Sequence, residues 1–318
     1  MAIRLFQRKK RIVNMMLTDY AIRFAEVTPG IPMKVERYGE RLIPPGIIKK
    51  GDIIDPNELL SIMENCVDEW KIKSRPVRFL VPDSFVAMKE EKVDIDLEDD
   101  EINSYLFMKI GTSIHLPFEN PVFDTAVTNI YDGKKHILLI AAPEEKVEEY
   151  VSVFEKSGLT PVVADVGPLN LYRLYYEMAL VKEEDHYILL HLKQGSLTIS
   201  IFHQHQPKFM KPVSFETNED TIDVSSGEKS ELDEFMDVFS ELDKVINFYE
   251  NSLHKGHVRI SAIFLNGDFI RANFFKRALK DRYSLLVYGD ETVEITVKDG
   301  GLLPAGFYPV VGLGLKER

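Results

Sequence analysis

The stretch His191-Leu192-Lys193-Gln194-Gly195-Ser196 places side chains that could meet a phosphate around one tight turn. Glycine lets backbone N–H groups approach an anion, lysine supplies a point charge and serine a hydroxyl donor. The same turn would serve equally to close two strands over a solvated lysine. A second grouping, His186, His191, His203 and His205, has metal-ligating residue types. His203 and His205 would share a strand face, but they fall in the turn HQHQP, with no cysteine or neighbouring carboxylate to complete a ligand set. The acidic run DIDLEDDE (94–101) has the carboxylate density of a hard-cation loop without its bend glycine or closing glutamate. Those carboxylates suit the first turn of a helix, where they favour its dipole. Cys66, the only cysteine, lies near Trp70 on an apolar helix face and reads as core in a reducing compartment. Nucleophile-elbow, Walker A, Rossmann-glycine and zinc spacings are absent from the sequence.

Length and charge bound the setting for these residues. The 318 residues suffice for two domains, and no apolar run approaches the ~20 residues that cross a bilayer as a helix. A net charge of −12 argues against nucleic acid, whose phosphates need a concentrated positive field. The N-terminus carries Arg4, Arg8, Lys9, Lys10 and Arg11 but no continuous apolar signal region, so no export is expected. Those charges read as a solvated leader or as a weak contact with anionic lipid.

The elements that position the turns repeat. VNMML, AIRFAEVT and MKVERYGERLI form a three-stranded meander, followed by a helix opening at Asp55-Pro56 and a buried strand, VRFLVP (77–82). The helix face is Leu59, Ile62, Met63, Cys66, Val67 and Trp70. In the second half YILLHL, SLTISIF and KFMKPVSF make another meander, before a helix at about 231–253 and the strand VRISAIFL (258–265). The acidic segment 217–235 reads as a mobile loop at the tip of this half. The resulting division is a first lobe from 1–82 and 159–184, an inserted α/β subdomain at 83–158, a second lobe at 185–300 and a return to the first lobe at 301–318. The insertion holds a helix near 98–110, a hairpin at Asp132-Gly133 and a helix at 144–157. Duplicated units with an insertion in the first describe the two-lobed, ribonuclease-H-like actin architecture, whose ligand sits in a cleft gripped by the first hairpin of each lobe.

Three blocks carry a family resemblance: YGERLIPPGIIKKGDIIDPNELLSIM, ILLIAAPEEKVEEYVSVFEKSGLTPVVADVGPLNLYRL and the ending YPVVGLGLK. They resemble the PilM-type type IV pilus assembly proteins, cytoplasmic actin-like relatives of the division protein FtsA. The resemblance implies an FtsA-type inserted subdomain and an adaptor docked on the cytoplasmic N-terminal tail of a PilN-like bitopic protein. It also implies contact with other inner-membrane platform or motor components, and a place at the inner face of the cytoplasmic membrane. The family's phosphate hairpins are usually Asp-Ile-Gly turns. This chain has Met16, Leu17, Thr18, Asp19 and Tyr20 at the first, and His191 to Ser196 at the second. The third motif survives as Asn266-Gly267-Asp268, where Gly267 suits a strand-to-helix turn and Asp268 a helix N-cap. Asp165, in the block VADVGPLN, could orient water or metal in the cleft, or cap the helix beginning near Leu169. Loss of the metal-holding aspartate from both turns predicts loss of Mg-nucleotide binding and no catalytic residues or cofactor. The rival readings are an ATPase with a cleft rebuilt from Thr18, Asp19, Asp165, Lys193, Gly195, Ser196, Gly267 and Asp268, and an FtsA-like polymerising protein.

Overall fold

A computed structural model of the chain describes residues 11–30, 33–215 and 235–316. Arg4, Arg8, Lys9 and Lys10, and the acidic segment at 217–234, lie outside the described residues.

The chain opens with the meander β1 (Val13–Leu17), β2 (Ala21–Thr28) and β3 (Lys34–Leu42), then a short hairpin, β4 (Ile48–Lys49) and β5 (Asp52–Ile53). Helix α1 (Pro56–Glu69) begins where its signals place it: the Asp55 carboxylate accepts from the Glu58 N–H at 3.0 Å, and Pro56 fills the first turn. After β6 (Pro76–Val81) come β7 (Ala87–Asp94), α2 (Ile102–Lys109), β8 (Pro121–Tyr131), β9 (Lys134–Pro143), α3 (Glu144–Lys156), β10 (Thr160–Val166) and α4 (Gly167–Glu177). The second half holds β11 (His186–Lys193), β12 (Ser196–His203), β13 (Gln206–Ser214) and α5 (Met236–Asn247), which continues into a π turn at Phe248–Leu253. It closes with β14 (Ala262–Gly267), α6 (Ala272–Arg282), β15 (Leu286–Tyr288) and α7 (Tyr308–Gly314).

Two five-stranded sheets have the same order and the same mix of directions. The first runs β10-β6-β1-β2-β3 and the second β15-β14-β11-β12-β13, with three antiparallel meander strands and two parallel ones on one side in each. The duplication read from element order is thus present in the pairing itself, extended by a fifth strand per lobe. The third sheet, β7-β9-β8, is the inserted piece, with its own small core of Val93, Leu106, Ile137 and Leu139.

Packing corrects two sequence expectations. The inserted subdomain was expected to run to 158, including the helix at 144–157. Helix α3 instead buries Tyr150, Val153 and Phe154 in the first-lobe core against β6 and α1, with the Phe154 and Phe79 rings 5.0 Å apart. The insertion therefore ends, by packing, with β9. The acidic run 94–101 does not fill the first turn of α2, which starts at Ile102; Asp94 and Asp99 pair with Lys134 and Lys135 across the β7 and β9 ends.

The lobes share an apolar spine. Leu171, Leu174 and Tyr175 of α4 and Val311 of α7 pack with Leu189 and Phe264 from the back of the second sheet. Each side chain of this kind removed from water contributes roughly 1.5–3 kcal/mol. The spine fixes the base of the cleft that opens between the two first hairpins.

Candidate functional site

Both hairpin turns line one cleft of 250 Å³, together with the β4–β5 turn at Lys49, Lys50 and Gly51 and the end of β6. Thr18, Asp19, Lys193, Gly195 and Ser196 are all brought to it. The side chains of Thr18, Asp19 and Lys193 already have partners within the chain. Thr18 Oγ1 accepts from the Ala21 N–H at 3.0 Å, which tightens the first turn. Both oxygens of Asp19 cap the β4–β5 turn, accepting from the Lys50 and Gly51 N–H groups, the latter at 2.9 Å. Gly195 takes a positive φ of 69° in a two-residue turn between paired Lys193 and Ser196.

Lys193 does not stand solvated. Its Nζ lies 3.0 Å from Oδ2 of Asp83, a residue the sequence reading passed over as the start of the insertion. Thr198 Oγ1 donates to the same oxygen at 2.9 Å. Asp83 is only 4% exposed and follows β6 in the first lobe, whereas Lys193 and Thr198 belong to the second. Burial acts to raise the Asp83 carboxyl; the Lys193 ammonium overcomes it and holds the group well below the usual carboxylate range. Burial is also the main influence on His191, keeping its ring neutral. Its Nδ1 stands 3.4 Å from Asp83 Oδ2 without the alignment of a hydrogen bond, so the contact is not an ion pair.

A second bridge crosses the lobes beside the first turn. Arg23 of β2, 4% exposed, forms ion pairs with Glu40 and with Asp268, and the Tyr20 hydroxyl donates to Asp268 as well. Asp268 is therefore not the expected helix cap: α6 begins four residues later, at Ala272. Gly267 is held by pairing. It lies opposite Leu192 with φ 154°, and a Cβ there would sit 1.8 Å from the Leu192 carbonyl oxygen.

Asp165 is placed away from this cleft. It lines a separate groove of 330 Å³ with Ala164, Val81, Phe123, Ala126 and Lys316. Its carboxylate accepts from its own Val166 N–H and pairs with Lys316 at 3.0 Å and Arg173 at 3.4 Å. The groove lies between two sheet edges, β8 of the inserted sheet and β10 of the first lobe, each paired on one side only among the described residues. Val122, Val127 and Val162 stand exposed on those two edges.

The carboxylates at and near the cleft already have partners within the chain. Asp19 is tied to backbone donors, Asp83 to lysine and threonine, and Asp268 to arginine and tyrosine, while Asp165 faces another groove. Among the described residues no cluster of histidine, cysteine, aspartate or glutamate could hold a metal ion. The histidines expected near one another divide. His191 lines the cleft, and His205, in a positive-φ turn, meets the Tyr172 hydroxyl at 3.0 Å. His186 and His203 stack with ring centroids 3.7 Å apart.

That stack gives a pH prediction. Burial first, then His203 and His254, lower His186 to about 4; Asp185 opposes the shift and Lys208 adds to it, while the Tyr249 hydroxyl lies 2.8 Å from Nδ1. A histidine neutral in the fold and titrating near 6.5 when unfolded contributes stability above 6.5, lost as pH falls towards 4. Allowing for solvent around the half-buried ring, the expected loss between pH 7 and 4.5 is about 1–2 kcal/mol. Urea unfolding across that range should show it, and a His186→Gln variant should flatten the slope by that amount.

Residues 17–224 match the family described as type IV pilus assembly protein PilM. A solved PilM-PilN type IV pilus biogenesis complex is similar with a TM-score of 0.77 at 18% identity, covering 97% of this chain and 100% of that one. The ethanolamine utilization protein EutJ from Carboxydothermus hydrogenoformans follows the fold with a TM-score of 0.51 at 10% identity, covering 95% and 88%. A Bacteroides thetaiotaomicron protein with an actin-like ATPase fold gives 0.49 at 10% identity, over 100% of both chains. No curated protein matches the sequence.

The duplicated sheets, the cleft between first hairpins and the inserted third sheet make this a two-lobed actin-like protein. More narrowly, the chain belongs to the type IV pilus assembly protein PilM family.

Proposed function

We propose that the protein is an actin-like adaptor in type IV pilus or pilus-like assembly, working without Mg-nucleotide at the inner face of the cytoplasmic membrane. The tail of a PilN-like membrane protein docks in the groove between β8 and β10. The observation that carries this reading is the groove itself: an apolar trough bounded by two sheet edges, with Lys316 and Asp165 on its wall. An extended peptide can add main-chain hydrogen bonds to such an edge while alternate side chains enter the trough. The PilM-PilN complex supports the choice of partner. No helix among the described residues is long and apolar enough to cross a membrane, which accords with attachment through a partner.

The test is a titration with the cytoplasmic N-terminal peptide of a PilN-like bitopic protein from the same organism. Saturable binding is expected, and Ala164→Arg, which places a long charged side chain in the trough from an exposed strand position, should weaken it at least tenfold, or about 1.4 kcal/mol. Unchanged affinity in Ala164→Arg would move the tail elsewhere. Calorimetry with Mg-ATP should show no heat of binding; low-micromolar binding would overturn the nucleotide-free reading.

A further inference from the structure

In an actin-like cleft a bound nucleotide ties one lobe to the other, because both hairpins grip its phosphates. Here the same two walls are tied by the protein's own side chains. We infer that the Lys193–Asp83–Thr198 bridge replaces the nucleotide as the tie that holds the lobes closed, and transmits the closed state to the tail groove.

The placement is specific. Lys193 occupies the second hairpin, where a phosphate would be met, and its ammonium reaches across the cleft to a buried carboxylate. A lysine with no ligand to neutralise would carry its charge into water; here it is compensated within the chain, and Thr198 fills a further acceptor site on Asp83. The bridge is not alone, since Arg23 and Tyr20 of the first lobe hold Asp268 of the second. The two ties have opposite polarity, acid to base in one and base to acid in the other.

The link to the groove is a matter of shared residues. Val81 lines both the cleft and the groove. Gly167, the first residue of α4, is packed so closely on Asp83 that a Cβ would lie 2.8 Å from its Oδ1. The two residues before it, Asp165 and Val166, line the groove. A displacement of Asp83 thus moves the junction between β10 and α4 that forms one groove wall. This second half of the inference rests on the proposed tail site; the first half does not.

The experiment measures lobe separation and tail affinity in the same proteins. Nitroxide labels go on cysteines introduced at Glu64 in the first lobe and Lys280 in the second, both exposed. Cys66 is buried and burial pushes its thiol up to about 11, so it stays unlabelled. Pulsed dipolar spectroscopy of the parent protein should give one narrow distance, unaltered by Mg-ATP. Lys193→Gln and Thr198→Val should broaden and lengthen it, Lys193→Arg should restore it, and the opened variants should bind the tail peptide at least fivefold more weakly. Asp83→Asn is the stronger perturbation, and the two second-lobe variants keep the test decisive should that protein not fold. Unchanged distances in Lys193→Gln and Thr198→Val would overturn the tie. Open lobes with unaltered tail affinity would overturn the transmission to the groove. If the parent protein binds no tail at all, the docking site fails, and the distances alone still decide the tie.

Discussion

A Gly267→Ala variant is expected to lose about 3–5 kcal/mol of unfolding free energy, the range of substitutions that force a rigid contact apart. The added Cβ would meet only backbone: the Leu192 oxygen at 1.8 Å, its carbonyl carbon at 2.7 Å and its Cα at 3.1 Å. No side-chain rotamer can relieve that contact, and φ 154° is itself a conformation that alanine rarely adopts. The end of β14 would have to part from β11, one residue before Lys193. Urea unfolding should report the loss, and hydrogen exchange should show its focus at the β11–β12 turn. A loss below about 0.5 kcal/mol would mean that the strand ends move apart freely. The expected result also gives Gly267 a reason to be glycine that requires no nucleoside.

This difference between architecture and chemistry explains what could be read from the sequence. The duplicated meanders were legible because each strand carries its own signal, an apolar run or alternation bounded by turn residues, and because the order repeats. Asp55-Pro56 marked the start of α1 by local chemistry alone. The cross-lobe ties carry no such local signal. Lys193 and Asp83 are separated by 110 positions, and nothing near Asp83 in VPDSF announces a partner on another sheet. Arg23 left a fainter trace. In AIRFAEVT, Ile22 and Phe24 point into the first-lobe core, so Arg23 falls on the opposite face between Ala21 and Ala25. A charge flanked by small residues on a buried strand face implies a buried partner. Its identity as Asp268 depends on how the lobes meet. Asp165 was expected in the nucleotide cleft because a family motif suggested it, and the register of β10 places it in the other groove. Asp268 was read as a local cap because aspartate before a helix commonly is one, yet the helix starts later and the carboxylate turns to the other lobe.

The Arg23–Asp268 tie supplies the second large effect, and it has an unusual sign. Asp268→Ala is expected to cost about 3 kcal/mol, the low end for breaking a buried pair, because Glu40 remains as a second partner for the guanidinium. Most of that cost is the desolvated Arg23 charge left short of an acceptor, with the Tyr20 hydroxyl losing its acceptor too. Removing the charge as well should recover part of the loss: Arg23→Met with Asp268→Ala should be more stable than Asp268→Ala alone by about 1 kcal/mol or more. A double-mutant cycle in urea checks this. Simple additivity, with the double variant worse than either single one, would show that Arg23 contributes through its packing against Phe307 and Tyr20 rather than through its charge. The expected coupling would mean that this bridge serves to fix how the lobes meet more than to add stability. In this bridge the chain's own buried charges set that geometry.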